Sequence, residues 1–454
     1  MLKPLAALLR TEPEVIALSF ARMADALGNS LLIIILPLYI AEQPSQWLSL
    51  PTEAQVGIVI SLYGFLFALG QPFAGVASDR AGRRKPFILL GLLLMTGATL
   101  GFMFAHRYIW IVVLRCLQGL GVALIIPSVL ALISGVTVKR TRGNAMGVYS
   151  TFRMIGFATG PLLAGFLHVH LGFNATFIVG ALFLAAAFFL VQVTVHERPA
   201  DEIDLPAPEG GQRRLGRGSA PGEALEEDPA LPSAGGVPLN GEAPTTLLPS
   251  ATMLALMVST VVLASSLSMI SALENQFNER LSQTAIGFGI AFSALTVSRL
   301  LIQIPVGRLS DRIGRKRLIV GGMVALAPLT VLLGFVTSTA QLIGLRFLQG
   351  VATAGVAAPA FALAGDLARK GGEGREMSFV TMGFGLGLGL GPLLAGGLAG
   401  YVGFQVPFYV VGALSLVAAA LVASWAEESI VPLPDGPSRL GDHPGDPLGP
   451  GGSR

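Results

Sequence analysis

The chain has 454 residues, 52% of them hydrophobic and only 13% charged, about half of the roughly 25% charge usual in soluble domains. The net charge of +3 and the pI near 9.2 would point to nucleic acid on a soluble protein, but on a chain this apolar they read as basic loops anchored beside a membrane. Cys116 is the sole cysteine and sits in an apolar segment, and the five histidines show no ligand spacing, so disulfides and cysteine metal clusters are excluded and neither metal nor cofactor is expected.

Apolar stretches of 18 or more residues recur along the chain, each long enough to cross about 30 Å of hydrocarbon as a helix. In order they cover about 15–40, 55–77, 86–106, 109–132, 144–168 and 174–195, then 250–274, 285–308, 318–337, 340–365, 377–402 and 406–426. The first follows an acidic Glu12-Pro13-Glu14 and is too long for a cleavable signal. Residues 197–249 are rich in Pro, Gly and acids and lack apolar periodicity, which predicts a disordered cytoplasmic tether. Residues 431–454 share that composition and read as a tail. The domain plan is therefore an N-terminal unit over 1–196 and a C-terminal unit over 250–430.

The two units are copies. Gly75-Val-Ala-Ser-Asp79-Arg80-Ala-Gly82-Arg83 returns as Gly307-Arg-Leu-Ser-Asp311-Arg312-Ile-Gly314-Arg315, 232 positions later. Arg115-Cys-Leu-Gln118-Gly recurs as Arg346-Phe-Leu-Gln349-Gly, and Gly160-Pro161-Leu-Leu-Ala-Gly165 recurs from Gly391-Pro392, both 231 positions on. A common register over three landmarks marks a duplication. One pattern misleads: Gly383, Gly385, Gly387, Gly389 and Gly391 alternate with large residues as in a strand. An open strand leaves its backbone unsatisfied in lipid, so a helix with a smooth glycine surface is expected.

Charge gives the expected orientation. Of thirty Lys and Arg, five lie deep inside spans and two, Arg107 and Arg280, fall on one side, leaving 23 on the other, with Arg308 at its span's end counted among them. Both termini are therefore expected in the cytoplasm. Arg outnumbers Lys 25 to 5, the mark of a GC-rich, prokaryotic genome, so the expected location is a cell membrane.

With twelve spans, a six-plus-six duplication and these motifs in order, the chain resembles the major facilitator superfamily of secondary transporters. The loop after spans 2 and 8 resembles its most specific signature, and Arg115-x-x-Gln118-Gly119 its second motif. Gly147, Gly156, Gly160, Pro161 and Gly165 resemble the pattern of its proton-coupled antiporters, with Ala164 where glycine is usual. The resemblance implies an all-α membrane protein of two pseudo-symmetric six-helix bundles that rock around a central cavity. It also implies proton-driven export of the multidrug type, with a small-molecule substrate, protons and membrane lipid as partners, no nucleic acid, and a monomer. Uptake of a metabolite and a non-transporting sensor are the alternatives. No nucleophile elbow or phosphate loop appears, so an enzyme is not expected.

The residues themselves carry the same expectation. Asp79 and Asp311 sit at the membrane edge, where a carboxylate caps a helix or pairs with Arg. Gly82 and Gly314 allow the tight turn, and Gly75 and Gly307 a close approach. With Arg80, Arg83, Arg312 and Arg315 these residues form, on the family's pattern, a latch between halves that holds the outward-facing state; topology anchoring alone explains only the basic residues. Arg115, Arg153, Arg299 and Arg346 lie deep in spans, each at a cost of about 2.5–3.5 kcal/mol unless it meets a polar cavity or partner. Asp25 lies about ten residues into span 1 and Arg153 about nine into span 5, roughly 15 and 14 Å at 1.5 Å per residue. Asp25 is therefore the candidate proton-coupling carboxyl, with Arg153 or Arg115 controlling its charge; a static pair with Arg22, one turn earlier, is the rival reading.

Candidate cavity residues are Arg299 and Arg346 together with Gln71, Gln303, Gln118, Gln349, Glu274 and Asn275. The glutamines serve cargo or helix packing. Glu274 and Asn275 begin an outer loop or form the lip of a path. Gly156, Gly160, Pro161, Gly165, Gly391 and Pro392 read as helix packing, with a seal against leak as the function. A cavity so basic fits an anionic or zwitterionic solute better than a lipophilic cation.

Overall fold

The computed structural model describes residues 3–9, 11–43, 49–137, 139–197, 250–367 and 373–429. The expected tether and tail fall outside the described residues. The helices are α1 (Lys3–Leu9), α2 (Pro13–Glu42), α3 (Thr52–Ala81), α4 (Lys85–Gly101), α5 (Tyr108–Val136) and α6 (Lys139–Thr194) in the first half. The second half holds α7 (Ala251–Ser268), α8 (Glu274–Arg280), α9 (Ala285–Ile313), α10 (Arg315–Leu332), α11 (Thr339–Asp366), α12 (Glu373–Tyr401) and α13 (Val406–Trp425). No strand occurs among the described residues, as lipid requires.

Two details recover twelve crossings. At 56 residues α6 would reach about 84 Å at 1.5 Å per residue, far beyond one bilayer. At Gly172 its backbone turns to φ 80° and ψ −175°, a conformation open to glycine. The chain reverses there: Gly156 before the break abuts Met23 and Ala26, and Leu184 after it packs on Gly28, so both limbs lie along α2. In the other half, α7, a 3-10 stretch over Met269–Leu273 and α8 run on as a single crossing, Ala251–Arg280.

The halves meet from one face down to about mid-depth, where Gly385 and Gly389 of α12 still lie against Ala68 and Phe65 of α3. A shared core at that face joins Leu31–Tyr39 and Val56 of the first half to Met269, Phe277, Phe288, Ala395 and Phe404 of the second. At the end that carries the basic loops each half keeps its own core, one around Leu92, Val129 and Val191 and the other around Met323, Val356 and Val422. Two hydrogen bonds tie the closed end across the halves: Asn275 Nδ2 donates to the Pro37 carbonyl at 2.9 Å and Gln276 Nε2 to Glu53 Oε1 at 2.8 Å. The molecule is thus sealed at one face and split at the other.

Glycine makes that seal. Gly57 on α3 lies under the Pro392 carbonyl, where an added Cβ would fall 2.5 Å from the oxygen, and Gly289 on α9 lies under the Pro161 carbonyl in the same way. Within each half, Gly160 seats on Leu27 and Ser30 of α2, as Gly391 seats on Ser265 and Ser268 of α7. Gly165 approaches Ala285, and Gly396 approaches Glu53. Each copy of the Gly-Pro-Leu-Leu-Ala-Gly sequence therefore touches its own half with one face and the opposite half with the other. The alternating glycines of α12 sort likewise into two stripes four residues apart: Gly383, Gly387 and Gly391 face α7, while Gly385 and Gly389 face α3. The apparent strand period is two helical faces superimposed.

Gly57→Val or Gly289→Val should prise this seal open, since overpacking of about 1–3 kcal/mol shifts a two-state balance roughly fivefold or more. The measurement is thiol labelling of Ile40→Cys, buried at the closed end, in a Cys116→Ala background. Labelling should accelerate by that factor in either valine variant.

Candidate substrate and coupling site

Below the seal lies a cavity of about 110 Å³ walled by both halves. Its apolar face is formed by Tyr63 and Phe67 of α3, Phe157 of α6, Phe292 of α9 and Phe384 of α12. Arg22, Arg153, Arg299 and Arg346 supply charge to the same wall, from four different helices.

Arg22 and Asp25 form a buried ion pair through Nη1 and Oδ2, one turn apart on α2. Asp25 Oδ1 has no hydrogen-bond partner among the described residues. Arg153 is the next cation within electrostatic range of Asp25, and it is within range of Arg299 as well. The rival reading of Asp25 is thus the geometry found for its direct partner. Arg115 is engaged elsewhere: its Nη2 donates to Asn29 Oδ1 at 3.0 Å, its Nη1 to Gln118 Oε1 at 3.0 Å, and its guanidinium lies 4.6 Å from the centre of the Tyr63 ring.

That arrangement is duplicated. Gln118 Nε2 reaches Thr99 Oγ1 at 2.9 Å, and Gln349 Nε2 reaches Thr330 Oγ1 at 3.1 Å. Arg346 donates to Gln349 Oε1 at 2.9 Å and to the Leu267 carbonyl at 3.3 Å, with Phe292 beneath it at 5.2 Å. The glutamines thus tie helices together and give a terminal nitrogen of each arginine a neutral partner, and neither lines the cavity. Gln71 and Gln303 also lie outside its lining. Glu274 is fully buried at the closed end, facing Asn278, and Asn275 holds the seal. Tertiary packing, not helix depth, separates these residues from the cavity.

The site departs from the duplication where it matters. Leu27 and Ser30 correspond in contact to Ser265 and Ser268, so α2 maps onto α7 with a shift of 238 positions. On that register Asp25 matches Leu263 and Arg22 matches Thr260, which leaves the ion pair without a counterpart. Arg153 matches Phe384 through the 231 register, and Arg299 matches Phe67 through the 232 register of Gly57 and Gly289. All four of those last residues line the cavity.

The loop motifs bond within their own halves. Asp79 pairs with Arg84 at 3.2 Å, and Arg315 pairs with Asp311 at 3.6 Å and Asp366 at 2.9 Å. Gly82 and Gly314 take φ of 61° and 99° to make the turns, and Arg80, Arg83 and Arg312 are exposed. Gly75 lies in ordinary contact with Pro127, and a Cβ on Gly307 would meet open space. The helix-capping carboxylates are Glu197, which accepts from the Arg84 and Lys85 N–H groups, and Glu428, which accepts from those of Arg315 at 2.8 Å and Lys316 at 3.1 Å. These two glutamates lie 231 positions apart, so the repeat register held the signal for them, as it did for Thr99 and Thr330. Among the described residues no group of three or more His, Cys, Asp or Glu is placed to hold a metal.

A family model described as Major Facilitator Superfamily matches residues 18–251 and 247–442. The chain belongs to that superfamily. It is therefore a membrane transporter of small molecules and not an enzyme. Among similar proteins, the multi-drug resistance efflux pump PmrA of Streptococcus pneumoniae is 26% identical over 78% of this chain and 81% of its own length. A PmrA homolog of Lactococcus lactis is 28% identical over 83% and 85%, and the multidrug resistance protein MdtG of Escherichia coli is 26% identical over 87% and 90%. The fold is shared with a bacterial homolog of the human lysosomal transporter Spinster in an inward-facing and occupied conformation, at a TM-score of 0.69 and 16% identity over 91% of this chain and 97% of that one. It is shared also with a mutant form of the nucleoside transporter NupG, at a TM-score of 0.65 and 14% identity over 91% and 100%.

Replacing Glu428 or Glu197 with Ala should cost about 0.5–2 kcal/mol each, as for loss of a helix-capping acceptor. Thermal unfolding of the purified transporter in detergent measures this, and the double variant should lose about the sum because the sites are far apart.

Proposed function

We propose that this transporter exports small organic molecules in exchange for protons, and that the state described is the one open to the cytoplasm. The basic residues of the described loops at the split face, Arg80, Arg83, Arg84, Lys85, Arg312, Arg315, Lys316 and Arg317, support that orientation. The printed names of the efflux pumps it resembles support the direction of flux. On this reading residues 197–249 and 431–454 are the cytoplasmic tether and tail, and the loop latches join the halves only when the split face closes.

The Arg22–Asp25 pair carries the coupling role. Among the described residues it is the one carboxylate ion pair with a member on the cavity wall, Arg22, with Asp25 buried behind it; it occurs in one half only, and the second oxygen of Asp25 is unsatisfied. Ionised Asp25 holds Arg22 on α2. A proton on Asp25 cancels that attraction and frees two guanidiniums, Arg22 and its neighbour Arg153, to seek other partners. Because Arg153 stands on α6, against which α2 packs, the proton alters a helix–helix contact that runs the depth of the first half. Such a contact is one that the rocking motion would use.

Asp25→Asn in proteoliposomes should reduce proton-driven uphill flux to background while leaving exchange of cargo down its own gradient. Asp25→Glu should restore part of the uphill flux. Full uphill transport by the Asn variant would overturn the assignment.

A further inference from the structure

The charge of the cavity wall points to what the cavity accepts. We propose that the cargo is an amphipathic organic anion, an acid head on a ring-sized apolar body, held by Arg299, Arg346 and Arg153 against the aromatic face. The proposal rests on the transport reading above and specifies its substrate class.

Three observations carry it. The first is an unbalanced charge. Among the described residues the ion pairs near the cavity number one, and it occupies Arg22. Among those same residues Arg153, Arg299 and Arg346 have no carboxylate within ion-pair distance, yet all three line one cavity. The second is their residual hydrogen-bonding capacity. Arg346 is completely buried, its two terminal nitrogens bond neutral oxygens, and its Nε has no partner among the described residues. The Nε of Arg299 is buried and unpaired among them too. Buried, unpartnered guanidinium donors are costly, and a planar fork of N–H groups is matched by carboxylate, phosphate or sulfonate oxygens. The third is position within the duplication: Arg153 and Arg299 occupy sites whose counterparts are Phe384 and Phe67, so each half sets one cation and one aromatic ring on the wall.

Size follows from the volume. About 110 Å³ is somewhat below the roughly 150 Å³ that holds benzene in an engineered protein cavity. A ring-sized group fills it against Phe157, Phe292 and Phe384, and the acid head remains at the arginines. A lipophilic cation of the same size would place its charge among three like charges with one carboxylate, already paired, to offset them.

The test uses three single-ring probes of different charge: phenyl phosphate, phenol and benzylammonium, titrated calorimetrically into the full chain in nanodiscs of neutral phosphatidylcholine. The phosphate should bind roughly tenfold or more tightly than either of the others, and Arg299→Gln should weaken it about tenfold, the scale of one hydrogen bond to a charged group. Phenol affinity should be unchanged in that variant, which shows that the wall is still folded, and Arg299→Lys should keep part of the phosphate affinity. Tighter binding of the ammonium probe, or equal phosphate affinity in Arg299→Gln, would overturn the proposal. Competition by a lysophospholipid with a phosphate monoester head distinguishes the source of the anion. A lysolipid tighter than phenyl phosphate upholds the acid head with a membrane source, and a weaker one upholds it with a soluble source. Because binding needs no proton gradient, phosphate binding without proton-driven flux would count against Asp25 coupling alone. Proton-driven flux of the ammonium probe without phosphate binding would count against this proposal alone.

Discussion

The fold rests on carbonyl oxygens set against glycine. In lipid no hydrophobic gain draws helices together, so association depends on close packing and on the few polar contacts that it permits. Gly57 beneath the Pro392 carbonyl and Gly289 beneath the Pro161 carbonyl let the two halves approach backbone to backbone at one face. The shared apolar core and the Asn275 and Gln276 bonds follow from that approach. Both contacts come from one duplicated hexapeptide, so a single sequence, used twice, makes the seal from both sides. The contacts between the halves run from that face to the level of Gly385 and Ala68, and beyond that level the other face is free to part.

A duplicated scaffold supplies symmetry, and transport needs asymmetry. The Arg–Gln–Thr chains are present in both halves with nearly equal distances, and in each a guanidinium is placed over an aromatic ring. These are devices for carrying a buried cation through apolar packing without a counter-ion, and they tie together helices of the same half. Some differences between the copies bear on the cavity: an ion pair opposite Leu263 and Thr260, and arginines opposite phenylalanines. The chemistry of the site is thus added to the symmetric frame at a few positions.

Charge at the split face is handled locally. The loop aspartates pair with arginines of their own loops, and Glu197 and Glu428 close the helix starts that follow. Asp366 adds a clamp in the second half where the first has Gly135. With these bonds satisfied inside each half, nothing in the described loops opposes separation of that face. The same groups remain near the surface, available to new partners when the face closes.

The sequence by itself determined the class, the twelve crossings and the pairing of halves. Those depend on long apolar runs and a repeat register, and both are one-dimensional properties fixed by bilayer thickness and helix rise. It determined also that Asp25 and four deep arginines are exceptional, because a charge in a span is costly wherever it faces. Only tertiary structure decided which of them meet. Depth along a helix placed Arg153 and Arg115 level with Asp25, yet rotation about the helix axes gave Arg22 to Asp25 and Asn29 to Arg115. The cavity glutamines were misplaced for the same reason, since a period of 3.6 fixes a face but not what lies opposite it. Which charges share a wall, and which are left without a partner on it, follows from the crossing of separate helices in space.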